Sequence, residues 1–186
     1  MKKVEHGKTF DRNAANPPAF EIFHNTVTEG YPKHWHTAIE IIMPTRGEYE
    51  VVVGKDSYNL KEGDIIMINS GVVHGMRFVS QGERIVMLVE PGCVENQEEM
   101  ETIFLRLPAI YFKKEDEEDP FYLFLRSQIL ELVREYDNEG AVMTHRICTG
   151  LKELFSEFGR KGFSDANAQN TFGAMKQQEY IEAVLS

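Results

Sequence analysis

His34, His36, Glu40 and His74 offer three imidazoles and a carboxylate, side chains that together can hold a metal ion. The first three lie within seven consecutive residues, His34 to Glu40. Alternate residues of an extended strand share a face, so 34, 36 and 40 are expected on one side of a single strand. Two imidazoles and a carboxylate there, with a third imidazole from elsewhere, suit a first-row metal such as Zn, Ni, Fe or Mn. His74 follows the turn at Ser70-Gly71, and strand parity does not place it. The residue types also permit a metal-free pocket in which the histidines hydrogen-bond a sugar or a carboxylate. His6, His24 and His145 show no ligand spacing and are expected to be solvated or packed.

The elements around these residues read as short strands. From Phe20 to about Glu90, β-type segments alternate with turn signals, giving strands at 20–28, 34–43, 48–54, 56–61, 64–69, 75–79 and 84–90. Gly54-Lys55-Asp56 is expected to turn a hairpin, and Gly47, Glu62-Gly63 and Ser80-Gln81-Gly82 mark further reversals. Seven short strands in about 70 residues imply a sandwich or small barrel. Phe20, Phe23, Tyr31, Trp35, Tyr49 and Phe78 lie in or beside these strands. Most read as core, Tyr49 is also a pocket residue, and Trp35 should face away from His34 and His36.

After Pro91-Gly92 the pattern turns helical. Glu98 to Leu107 is expected to form a short helix that stops at Pro108. The acidic run from Glu115 to Asp119 reads as a solvated loop leading into a helix start, with Asp119 as N-cap and Pro120 at the first position. Phe121, Leu125, Ile129, Leu132, Val133 and Tyr136 form one apolar stripe, and Ile147, Leu151, Leu154, Phe155 and Phe158 form another after the turn at 137–140. So short a connection predicts antiparallel packing. Residues 159–173 read as a linker, and 174–186 as the onset of a helix without a stop signal, from which a further domain is expected.

Composition narrows the function classes. Of 186 residues, 42% are hydrophobic and 27% charged, as in an ordinary globular protein. No apolar run has the length of a membrane span, and the N-terminus lacks the apolar stretch of a secretory signal. Cys93 and Cys148, far apart in sequence and without a CxxC, suggest a reduced, cytoplasmic chain. Thirty acidic against twenty basic residues give a net charge of −10, which argues against this chain itself gripping a nucleic-acid backbone.

The spacing of His34, His36, Glu40 and Gly47 resembles the first cupin motif, and that of Gly63, Asn69, Ser70, Gly71 and His74 resembles the second. Gly30 lies nearer to the first motif than the usual leading glycine, Asn69 stands where proline is usual, and Phe78 replaces a trailing Asn. The resemblance implies a mainly β fold with α, a cupin-like double-stranded β-helix or jelly-roll barrel followed by an antiparallel helix pair. It also implies a divalent transition metal on His34, His36, Glu40 and His74, the same four residues lining a ligand pocket with Tyr49.

The order of elements resembles the N-terminal sensor and dimerisation domain of an AraC-type transcription regulator. That resemblance implies an N-terminal arm at 1–19, a cupin barrel at 20–92, a helical dimerisation segment at 93–158, a linker at 159–173 and the start of a DNA-binding domain at 174–186. The effector would be sugar-like or another small polar metabolite. Ile147, Leu151, Leu154, Phe155 and Phe158 would form a homodimer seam, and DNA would be bound only through a missing C-terminal domain, with no membrane partner. A metal-dependent cupin enzyme, a dioxygenase or isomerase, is the alternative, although no further acid, base or nucleophile constellation stands beside the four residues.

Overall fold

Strand-forming segments pair into two antiparallel sheets, and a helix pair covers one of them. The structure is a computed structural model that describes residues 19–26, 30–93, 108–116, 118–138 and 140–161. Its strands are β1 (Phe20–Asn25), β2 (Tyr31–His34), β3 (Ile39–Arg46), β4 (Tyr49–Val53), β5 (Asp56–Leu60), β6 (Ile65–Ile68), β7 (His74–Phe78), β8 (Glu83–Val89) and β9 (Ala109–Phe112). The five-stranded sheet runs β1-β8-β3-β6-β9 and the four-stranded sheet β2-β7-β4-β5. The fold is mainly β with α, a cupin-like jelly roll followed by two helices, α1 (Pro120–Asp137) and α2 (Met143–Lys161).

The five-stranded sheet is buried on both faces. In β3, Ile39, Ile41 and Met43 join a core with the helices, and Ile42 packs into the barrel interior with Tyr49, Val51, Leu60 and Ile68. Double burial explains why β3, β6 and β8 read as nearly continuous apolar runs. In the four-stranded sheet one face meets solvent, so β4 and β5 alternate.

Helix α1 begins as expected: the Asp119 carboxylate accepts from the Phe121 N–H at 2.9 Å, and Pro120 opens the helix. Tyr122 donates to the Gly63 carbonyl at 2.8 Å, which fastens α1 to the β5–β6 turn. The helices run antiparallel, since the Phe121 and Phe158 rings lie 5.0 Å apart at one end and Arg146 meets Glu135 at 2.9 Å at the other.

Four expectations change. The strand expected at 34–43 is two strands, because the chain leaves the four-stranded sheet after His34 and enters the five-stranded sheet at Ile39. Residues from 93 onward are not all helical: β9 pairs with β6, and four residues after Pro108 are too few to display a period. Helix α2 continues to Lys161, into the segment read as linker. The side chains expected at a dimer seam, Ile147, Leu151, Leu154, Phe155 and Phe158, are each at most 1% exposed within the single chain. They hold α2 against α1 and the barrel, so a seam between copies would have to use other residues. The helix expected at 98–107, the arm at 1–18 and the segments 162–173 and 174–186 lie outside the described residues.

Candidate metal centre

The four sequence-selected residues converge, from both sheets. His34 ends β2 and lies directly opposite His74, the first residue of β7. His36 sits in the passage between β2 and β3, where its carbonyl accepts from the Gly71 N–H at 2.8 Å. Glu40 is the second residue of β3, on the interior side of the five-stranded sheet. Gly30 allows β2 to lie this close to β7, since a Cβ there would stand 2.4 Å from the Met76 carbonyl oxygen. The shared strand face inferred from parity is therefore wrong, although the grouping it produced is present. A corner in the chain, not alternation, turns His36 and Glu40 toward His34.

One potential donor atom from each residue lies within 4.8 Å of the others, and His36, Glu40 and His74 are buried. Donors on opposite sides of a metal, each at about 2.1 Å, stand about 4.2 Å apart, so a small contraction would bring all four into a coordination shell. Each imidazole is oriented by a backbone carbonyl: Nδ1 of His34 lies 2.9 Å from the Pro32 oxygen, that of His36 2.9 Å from Ala38, and that of His74 2.8 Å from Val72. These carbonyls assign the proton to Nδ1 in the neutral ring and leave the Nε2 lone pair facing inward.

Nε2 of His36 and of His74 then point at the same Glu40 oxygen, at 3.0 and 2.8 Å. Three acceptors meeting without a donor is unfavourable. The conflict is resolved by protonating the imidazoles or by a cation among them, and a divalent ion fits the donor set without added protons. Burial alone would push the Glu40 carboxyl up, but when the imidazoles of His36 and His74 carry a proton on Nε2 their hydrogen bonds outweigh it and hold the pKa at about 2. Burial pushes His34 below the usual imidazole value. The His34 shift favours the neutral ring that a metal requires, whereas His36 and His74 must give up their Nε2 protons to an incoming ion. A bound ion would supply Lewis acidity and open positions for an oxygen ligand.

Tyr49, expected in the pocket, is fully buried in the interior cluster and packs against Phe78 at 6.2 Å. Trp35, expected to face away, is 47% exposed. His24 lies 3.8 Å from Glu83, and His145 is exposed. Cys93 and Cys148, remote in sequence, place their sulfurs 3.5 Å apart as free thiols, with burial and the neighbouring thiol pushing Cys93 up to about 11. Asp64 is buried but structural. Its oxygens accept from the Lys61 and Lys114 amides at 2.9 and 2.8 Å and from the Tyr111 hydroxyl at 2.7 Å.

The sequence reading missed Arg84. It is 0% exposed, and its Nε, Nη1 and Nη2 have no hydrogen-bond acceptor among the described residues. Its Cζ lies 4.9 Å from the centre of the Tyr49 ring and 5.5 Å from that of Tyr31. Such ring contacts are worth about 0.5–2 kcal/mol each, less than the several kcal/mol that burying an ion costs. The available signal was an arginine directly before the apolar run 85–89.

Residues 25–90 match the family model Cupin_2, a cupin domain, so a cupin domain is present in this chain. No curated protein matches the sequence. Among solved structures, a conserved protein of unknown function from Streptococcus pyogenes is 18% identical with a TM-score of 0.35, over 39% of this chain and 63% of that one. Bacillus subtilis oxalate decarboxylase, as a point variant, is 18% identical with a TM-score of 0.36, over 39% of this chain and 21% of that one. In both cases this chain spans less than two thirds of the similar protein. Apo ToxT from Vibrio cholerae, also a variant, is 10% identical with a TM-score of 0.51, over 92% of this chain and 72% of that one. The last is a likeness of fold that extends across nearly the whole chain.

Proposed function

We propose that this chain is the effector-sensing and dimerisation unit of an AraC-type transcription regulator, with a small molecule bound inside the cupin barrel. The observation that carries the reading is the joining of a buried, inward-facing polar cluster to an antiparallel helix pair packed on the barrel wall. The barrel can register occupancy and the helices can transmit it. The fold likeness to ToxT extends over 92% of this chain and supports that layout at the level of architecture alone. A ligand acts here only through unequal affinity for two arrangements of the barrel and its partners. With a net charge of −10, this chain would leave DNA contact to a separate unit.

We further propose that His34, His36, Glu40 and His74 hold one divalent transition metal and form, with Tyr49, part of the ligand pocket. Two copies would join through helix surfaces that the barrel leaves open, such as that carrying Leu123, which is 50% exposed on α1. The same four residues favour a second reading, a metal-dependent cupin enzyme. A gel-shift assay of the gene's full product on its own upstream DNA separates the two. Salt-sensitive binding that changes with a small-molecule effector supports the regulator. Absence of binding, with turnover of small oxygenated substrates under added Mn, Fe or Ni, replaces it with the enzyme.

A further inference from the structure

We infer that Arg84 anchors a second binding site inside the barrel, one that takes the carboxylate of a small organic anion. The inference rests on the reading of the barrel as a small-molecule receptor and narrows the ligand's chemistry. Strand alternation sets the direction of Arg84. Ile85, Met87 and Val89 of β8 belong to the core shared with the helices, so Arg84, Val86 and Leu88 share the opposite, interior face. There Leu88 pairs with Glu40, Val86 with Ile42 and Arg84 with Pro44, which places Arg84 on the same face as the four-donor cluster, four residues along the strand from the Glu40 level.

A guanidinium carries donors in a planar fork that matches a carboxylate. Arg84 uses none of them among the described residues, although it is fully buried. The faces of Tyr31 and Tyr49 attract the charge but offer its N–H groups no carboxylate-like acceptor. The nearest carboxylates along the chain are engaged elsewhere, Glu83 with Arg46 at 3.2 Å and Glu90 with the Thr37 hydroxyl at 3.0 Å. Another buried polar atom without a partner accompanies it: Tyr49 Oη belongs to one of the flanking rings. A cation and a hydroxyl, both unpaired and both out of water, suit an anion better than a neutral sugar alone.

Tyr31 connects this site to the candidate metal centre. Its ring centre stands 5.5 Å from Arg84 Cζ and 6.4 Å from that of the His34 ring. The Tyr31 hydroxyl accepts from the Asn25 side-chain amide at 3.2 Å, and Asn25 is the β1 residue paired with Arg84. One ligand with a carboxylate at Arg84 and a further oxygen toward the histidines would therefore touch both sites.

The test is thermal unfolding and titration calorimetry of the chain with acetate, oxalate, succinate and inorganic phosphate, using acetamide and glucose as uncharged controls. At least one carboxylate should raise the melting temperature saturably, and the uncharged compounds should not. Arg84→Met should weaken that response at least tenfold without lowering the melting temperature of the ligand-free protein, because an unpaired buried charge has been removed. Arg84→Lys keeps the charge and loses the fork. It should fold and also bind at least tenfold more weakly, which preserves the test if the Met variant fails to fold. Equal responses in wild type and both variants, or an equal response to glucose, would overturn the site. A response to phosphate alone would overturn the carboxylate assignment. A carboxylate that binds through Arg84 but leaves DNA binding by the full product unchanged would sink the sensor reading while supporting the anion site.

Discussion

Ile41 and Glu40 are adjacent in β3 and face opposite sides of one sheet. Outward, Ile39, Ile41 and Met43 of β3 and Ile85, Met87 and Val89 of β8 meet the helices in a wholly apolar core. Inward, the same strands carry Glu40 and Arg84. The outer face accumulates burial free energy, on the order of 1.5–3 kcal/mol for each large apolar side chain taken fully from water. That surplus offsets the desolvation of the charges on the inner face. Alternation thus lets one strand hold the molecule together and carry its chemistry, with few residues serving both tasks.

The largest expected effect tests the outer face. Leu154→Asp puts an unpaired charge into the helix-sheet core, and a loss of more than about 4 kcal/mol is expected, read as loss of the cooperative denaturant transition. A folded, stable Leu154→Asp protein would break the contrast between the faces. On the inner face, Glu40→Ala or His74→Ala should leave the far-ultraviolet circular dichroism unchanged. Each should weaken binding of a divalent transition metal by at least about a hundredfold, more than loss of an outer hydrogen-bond partner costs. If either variant unfolds, or binds metal as wild type does, the inner face is structural.

The smallest effect is a displacement in pH. Protons compete with metal for the imidazoles, so affinity should fall as pH falls, starting below the ordinary imidazole value near 6.5. Because burial lowers the His34 pKa, that ring resists protonation and moves the decline toward more acidic pH. Glu40, at about 2, stays ionised throughout. A chelator competition series from pH 5 to 8 reads this, and an affinity flat across that range would remove the histidines from the site.

Legibility in sequence followed the range of the interaction. Asp119-Pro120 announces the start of α1 because a cap is a contact between near neighbours. The donor residues were recognisable by type and by resemblance to two motifs. Their geometry was not, since nothing local marks the corner between His34 and Ile39. The opposition of His34 and His74 is a pairing of distant strands. Cys93 and Cys148 meet only through tertiary packing. Arg84 opens the strand expected at 84–90 and was not singled out there, because burial belongs to the assembled barrel, and the apolar stripe of α2 does not say whether the surface covering it belongs to the same chain or another.

The pairing of β1 with β8 has a kinetic consequence. The first strand of the barrel closes against the eighth, and His34 meets His74 by the same kind of remote contact. Such topology has high contact order, so loop-closure entropy is spent before the reward of pairing arrives, and folding is slow. The donor set is complete only after the long-range pairings form. A metal ion added to the refolding chain therefore meets no assembled site before the barrier, and its influence falls on the rate at which the finished barrel opens rather than on the rate at which it forms.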